Sequence, residues 1–315
     1  TSIEDHAFSF CSSLIEIILP SELTEISSYM FSQCKSLKKI IIPQTIKIIK
    51  NYAFEGCTSL TELIIPDSIT LIEEHAFSNC IRMDKINIPS NLKEINPSIF
   101  YQCQSLKKIT IPPNIKIIDK KSFEGCSSLT ELSIPECTTT IKFNAFCGCS
   151  NLMKINIPPN VTAIDSYTFS DCSALRELKI PPSVEIIRNN AFANCKSLVR
   201  ISIPDTVKSI GSYAFKGCSA LIHVDLPSQL TEISSYCFAD CISLKQIIIP
   251  NSVQIIRSHA FEKCDLEEIT IPNNVNLIED YAFNSCSSLH IVNWPNINII
   301  YNHTFYNCSL LTKIV

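Results

Sequence analysis

The chain has 315 residues, 46% hydrophobic and 18% charged, with a net charge of −4. That supplies enough apolar material for a long core and no basic excess to drive phosphate binding, which sets nucleic acid aside as a partner. No apolar run reaches the roughly 20 residues of a membrane-spanning helix, so no membrane insertion is expected within this segment.

The first aromatic element sets the pattern for everything after it. Phe8 returns as Phe31, Phe54, Phe77 and Phe100, every 23 residues as far as Phe261, and Phe283 and Phe305 follow at a spacing of 22. A cysteine stands three residues after each one, from Cys11 to Cys308. A period between about 20 and 50 residues marks a solenoid or array. Each unit then has an apolar side that only its neighbours can bury.

The copy beginning at Ile49 shows the elements in order. Tyr52-Ala53-Phe54 through Cys57 predicts one short helical turn, because Phe54 and Cys57, three apart, share a helix face. Leu60, Leu63 and Ile65 follow. Leu63 and Ile65 are two apart and point one way in a strand, while Glu62 and Ile64 point the other. Pro66 has no N–H to give and ends the strand. Ile69 and Ile72 make a second short extended or turn-like pass. Helices of ordinary length do not fit. The expected fold is therefore α/β, a right-handed solenoid of about 14 repeats. Each repeat contributes one parallel strand and short helical turns, with the handedness following the rule for parallel connections.

The fragment Leu-x-x-Ile-x-Ile matches the strand signature of leucine-rich repeats. Together with Ala-Phe-x-x-Cys and Ile-Pro at this period, it makes essentially the whole chain resemble the BspA-like (treponemal-type) leucine-rich repeat family. Two copies depart from the pattern. Cys264-Asp265-Leu266 is one residue short of Cys-x-x-Leu, and Pro295-Asn296-Ile297 lacks one residue before its apolar position. Both read as trims of surface turns. The resemblance implies a secreted or cell-surface protein of a bacterium or parasitic protist, associated with adhesion to host cells and extracellular-matrix proteins. The rival reading is a cytoplasmic interaction scaffold. No signal peptide is visible. The chain opens in mid-pattern at Ile3 to Phe8 and stops in mid-pattern at Leu311 to Val315, without the polar caps a solenoid needs. Residues 1–315 are accordingly expected to be a single solenoid domain cut from a longer chain.

Seventeen cysteines might suggest a disulfide framework, but fourteen of them occupy the repeat position. A column of parallel side chains is poorly aimed for bridging and does not converge tetrahedrally on zinc. A reduced, buried ladder of small hydrophobes is the expectation. Cys237 replaces an inward Ala, and Cys137 and Cys147 fall in the most degenerate copy, where they are expected at the surface. His6, His75, His259 and His303 share one slot with Tyr29, Tyr52, Tyr167, Tyr213, Tyr236 and Tyr281, two residues before the Phe. That slot takes a flat, half-buried ring. Gly-x-Ser-x-Gly, His-Glu-x-x-His and phosphate-cradling loops are all missing. No catalytic residue, metal or cofactor is expected.

The outward strand face remains. One column begins Glu16, Lys39, Glu62, Lys85, with signs that mostly alternate; neighbouring opposite charges attract by about 0.2–1 kcal/mol per pair. The other begins Ile18, Ile41, Ile64, Asn87. Ile18, Ile41 and Ile64 are expected to form a contiguous exposed apolar stripe, a candidate for protein contact, with β-propensity filling and cover by a flanking segment as the alternatives. These eight residues are the candidate protein-binding site, with a host surface or matrix protein as the suspected partner. Of three glycosylation sequons, Asn160 lies in a turn, Asn302 precedes an inward Thr304, and Asn307 precedes Cys308.

Overall fold

The computed structural model describes residues 2–293 and 301–315. It forms two compact units, Thr1–Asn160 and Val161–Val315. The fourteen copies of the motif bound about 13 turns, spaced about 23 residues apart. Within each unit, successive turns are joined along three lines of hydrogen bonds.

The Leu-x-x-Ile-x-Ile segment makes the first line. Its alternation puts Ile40 inside and Lys39 and Ile41 outside. The strand Lys39–Ile41 runs parallel to Glu16–Ile18, with Glu16 opposite Lys39 and Ile18 opposite Ile41. Glu62–Leu63 pairs with Lys85–Ile86 in the same way, and Arg200–Ser202 with His223–Asp225 in the second unit.

The second pass is also a strand. Glu25–Ile26, Ile48–Ile49 and Leu71–Ile72 pair in succession. Each complete turn can thus carry two parallel strands, where the sequence reading allowed one strand and an undefined extended pass. The first residue of each pair is half-buried and the second fully buried, a shallow inner wall of isoleucines.

The third line replaces the expected helical turn. The described residues contain no helix. Phe54 and Cys57 do share a side, through a bond from the Cys57 amide to the Phe54 carbonyl at 3.2 Å. But the amides of Tyr52, Phe54 and Gly56 donate outward, to the carbonyls of Glu74, Ala76 and Ser78 in the next turn, at 3.2, 2.8 and 2.8 Å. An α-helix needs each of those amides for a carbonyl four residues back. The run cannot satisfy both, and the stack wins. The turn is shaped by two left-handed residues, Tyr52 at φ 57° and Gly56 at φ 69°. Left-handed geometry costs a non-glycine residue about 1–2 kcal/mol. In most copies the first slot is filled by Tyr, His, Ser, Lys or Asn, as at Tyr29, His75, Ser98, Lys121 and Asn144.

The core lies between these lines. Twelve phenylalanines, Phe31 through Phe283, are fully buried. Their rings stack nearly parallel, 5.3–6.0 Å apart in the first unit and 5.2–5.6 Å in the second. Parallel rings at that separation are offset, the arrangement their quadrupoles favour. The trim at Cys264-Asp265-Leu266 is absorbed without a gap: Leu266 is fully buried, and Phe261 and Phe283 sit 5.2 Å apart. The trim at Pro295-Asn296-Ile297 lies outside the described residues.

The second-pass strands are grouped in threes. Ala163–Ile164, Ile186–Ile187 and Ser209–Ile210 form one set, and Glu232–Ile233, Ile255–Ile256 and Leu277–Ile278 another. The middle member is Ile-Ile in all four such sets among the described residues. The sequence carries this slower beat: Thr24-Glu25-Ile26-Ser27-Ser28-Tyr29 recurs, nine copies later, as Thr231-Glu232-Ile233-Ser234-Ser235-Tyr236.

Candidate interaction surface

The outward strand face is built by the period-two alternation that buries Ile40 and Leu63 and half-buries Ile17. Ile18 is 88% exposed, Ile41 64% and Ile64 82%. Ile18 and Ile41 are direct register partners, and Lys39–Ile41 packs beside Glu62–Leu63. The three side chains therefore stand in a row across adjacent turns. Glu16, Lys39 and Glu62, two residues before them, form a parallel charged row of alternating sign, all exposed.

Asn87 ends the apolar row, and its role differs from that of its neighbours. Its carboxamide accepts from the Ile65 amide at 2.8 Å and donates to the Ile65 carbonyl at 2.7 Å. Asn156 does the same to Ile134, at 2.7 and 2.8 Å. Where the next turn offers its own backbone instead, as Asp225 does to Ile203 at 3.0 Å, the paired strands run one residue longer. Asn87 is thus occupied with the fold, whereas Lys85 beside it stays exposed and lies opposite Glu62.

Beyond Asn87 the face opens. Residues 108–111 enter no strand pairing, and shallow clefts of about 660 and 640 Å³ flank them. Lys108 crosses toward Glu131, 3.3 Å away. In the second unit residues 177–180 and 246–249 are likewise unpaired, and the latter is flanked by clefts of about 380 and 470 Å³, with Ile248 85% exposed between them. His223 and Asp225 stand on the rim of the smaller cleft, 2.9 Å apart. Sequence reasoning passed over this pair, although two residues on one face of a strand are readable from the same alternation that exposed the isoleucines.

The repeat cysteines are spent on structure. The Cys57 thiol donates to the Phe31 carbonyl in the preceding turn at 3.2 Å, and Cys126 to Phe100 at 3.2 Å. That carbonyl of Phe31 also accepts the Cys34 amide at 3.1 Å. Burial pushes the thiol of Cys34 up to about 11 and those of Cys80 and Cys218 up to about 12. Cys308 is half-buried and moves the other way, lowered chiefly by its hydrogen bond with the Cys286 side chain. Cys137 is half-buried, with its thiol on the carbonyls of Pro113 and Ile115.

The ring slot also serves the stack. His6, Tyr29, Tyr52 and His75 lie face to face at 4.5, 4.7 and 4.5 Å. Each ring therefore offers solvent an edge. Among the described residues no cluster of three or more His, Cys, Asp or Glu is placed to hold a metal, and no helix is long and apolar enough to cross a membrane. Thr304 is buried and donates to the Tyr301 carbonyl at 2.9 Å, which withdraws the sequon at Asn302.

Comparison with known proteins agrees with this architecture. A leucine-rich repeat protein from Bacteroides ovatus shares 26% identity at a TM-score of 0.76, over 99% of this chain and 82% of that one. A leucine rich cell surface protein from Faecalibacterium prausnitzii shares 30% identity at 0.64, with the same coverage of each chain. The pneumococcal vaccine antigen PcpA, at 22% identity and 0.59 over 99% of this chain and 80% of its own, shares the fold. No curated protein matches. The BspA type leucine rich repeat region matches residues 1–107, 93–222 and 209–315, so with six copies across its length the chain belongs to the BspA-type leucine-rich repeat family.

Proposed function

We propose that this chain is a non-enzymatic protein-binding domain of a cell-surface adhesin type, and that it engages its ligand through the strand face. The observation that carries this reading is the row Ile18, Ile41 and Ile64, which is solvent-exposed and set on strands that pack side by side. A soluble protein gains nothing by keeping three adjacent isoleucines in water, and apolar rows with a charged rim are what partners bury. The similarity to a cell-surface protein of F. prausnitzii supports the location. The ligand class this favours is a protein of a host surface or extracellular matrix.

The test is the triple variant Ile18→Ser, Ile41→Ser, Ile64→Ser in a matrix-protein and host-cell binding assay. All three positions are exposed, so the fold survives the change, which circular dichroism checks. Loss of binding supports the strand face. Full binding by the folded variant removes that face from the mechanism.

A further inference from the structure

The spacing of the apolar row carries information about what fits it. We infer that the row takes an amphipathic α-helix lying along the stack, across the strands, with apolar residues at i, i+3 or i+4, and i+7. This rests on the strand-face reading above and specifies its partner.

The argument begins with distances. In these turns the repeating rings step by 5.5 and 5.3 Å in the core, from Phe8 to Phe31 to Phe54. At the flank they step by 4.5 and 4.7 Å, from His6 to Tyr29 to Tyr52. Ile18, Ile41 and Ile64 occupy the same three turns, and Ile18 and Ile41, as register partners on parallel strands, stand about 4.8 Å apart. A helix advances about 1.5 Å per residue, so its i, i+3/i+4, i+7 face repeats on average every 5.2 Å or so. That falls inside the range of the turns. An extended chain repeats one face every 6.6 Å or so and drifts out of register within two turns. A polyproline helix repeats about every 9.3 Å and would meet every second turn.

Charge adds a second constraint. Glu16, Lys39 and Glu62 run beside the apolar row in the order minus, plus, minus. Glu16 is the register partner of Lys39. A helix seated on the isoleucines would meet this row with residues one turn apart, and favours plus, minus, plus. Side chains at such spacing are neighbours on one helix face. Beyond Ile64 the position belongs to Asn87, whose carboxamide is held by the Ile65 backbone. The apolar footprint is therefore three residues long, or about two turns of helix. This is the groove-and-helix mode of recognition, in which a few anchors on one helix face give the affinity.

The experiment uses three labelled peptides and fluorescence anisotropy. The first is a stapled helix of about four turns with Leu at i, i+4 and i+7 and Lys, Glu, Lys beside them. The second has those charges reversed. The third carries the same Leu, Lys and Glu residues with β-branched residues between them, which favour an extended chain. The expected result is that the first binds, that Ile41→Asp abolishes this, and that the extended peptide binds at least about tenfold more weakly. The variant Glu16→Lys, Lys39→Glu, Glu62→Lys is expected to shift preference to the charge-reversed helix by about tenfold. Equal or better binding of the extended peptide, or no binding of the helix, overturns the inference. Because the Ile→Ser variant is judged on natural ligands, a failed helix alongside a successful triple-variant test sinks the helix and leaves the strand face standing.

Discussion

The Asn87 carboxamide holds the Ile65 backbone at both ends, accepting from its amide at 2.8 Å and donating to its carbonyl at 2.7 Å. A side chain here substitutes for a strand. Ile65 is 1% exposed, and the exposed Asn87 side chain is what covers its backbone.

Asn87→Ala should therefore lower stability by about 0.5–1.5 kcal/mol for each of the two hydrogen bonds removed. Asn87→Asp keeps the acceptor, loses the donor and places a carboxylate oxygen against a carbonyl, so it should be no milder. Urea denaturation of the folded variants measures both. An unchanged midpoint for Asn87→Ala would return that residue to the list of ligand contacts.

Phe123 lies between Phe100 at 5.4 Å and Phe146 at 5.6 Å and is fully buried. Phe123→Ala should cost about 3–5 kcal/mol, since it removes a large buried ring and leaves a cavity. Thermal or denaturant unfolding gives the value. A loss below about 1 kcal/mol would mean the ring column is not what holds the turns together.

The thiol ladder predicts a steep alkaline collapse. Burial raises Cys34 to about 11 and Cys80 and Cys218 to about 12, against 9.0 for the free side chain. Between pH 9 and about 12 the unfolded chain has lost thiol protons that the folded chain still holds. The folded state binds more protons there, so stability is full below pH 9 and falls as pH rises. Each such thiol adds about 1.4 kcal/mol per pH unit to the slope. Tyr52 and Tyr236, also raised mainly by burial, act in the same direction at higher pH. Unfolding followed by circular dichroism between pH 8 and 12 should show this dependence, and a flat profile would contradict the ladder.

Thiol reactivity should divide by position. Cys11, exposed, and Cys308, half-buried with its pKa lowered, should be alkylated in the native protein, and Cys126, fully buried with its pKa raised mainly by burial, only on unfolding. Mass spectrometry after brief iodoacetamide treatment separates them. Prompt labelling of Cys126 would mean the stack opens locally on that timescale.

The period, the buried columns and the exposure of Ile18, Ile41 and Ile64 were legible because each follows from spacing in the chain. The helical turn at Tyr52–Cys57 was misread for a physical reason. Phe54 and Cys57 share a side in a tight turn as they would in a helix, and only the destination of the amides tells the two apart. That destination lies one turn away, where local pattern is silent. The hydrogen bonds of Asn87 were hidden for the same reason: its position is outward-facing, and its partner is the backbone of the preceding turn. The second strand was half-seen, because a two-residue strand such as Ile48–Ile49 is too short to show an alternation.

The grouping of second-pass strands by threes has an evolutionary consequence. A single copy is not the interchangeable part, since its flanks are matched to particular companions. Recombination between Thr24 and Thr231, or between any equivalent points three copies apart, leaves each junction with the companions it already had. A gene of this kind can grow by whole triplets with every second-pass set kept intact. Exchange of one copy at a time would move an isoleucine next to strangers.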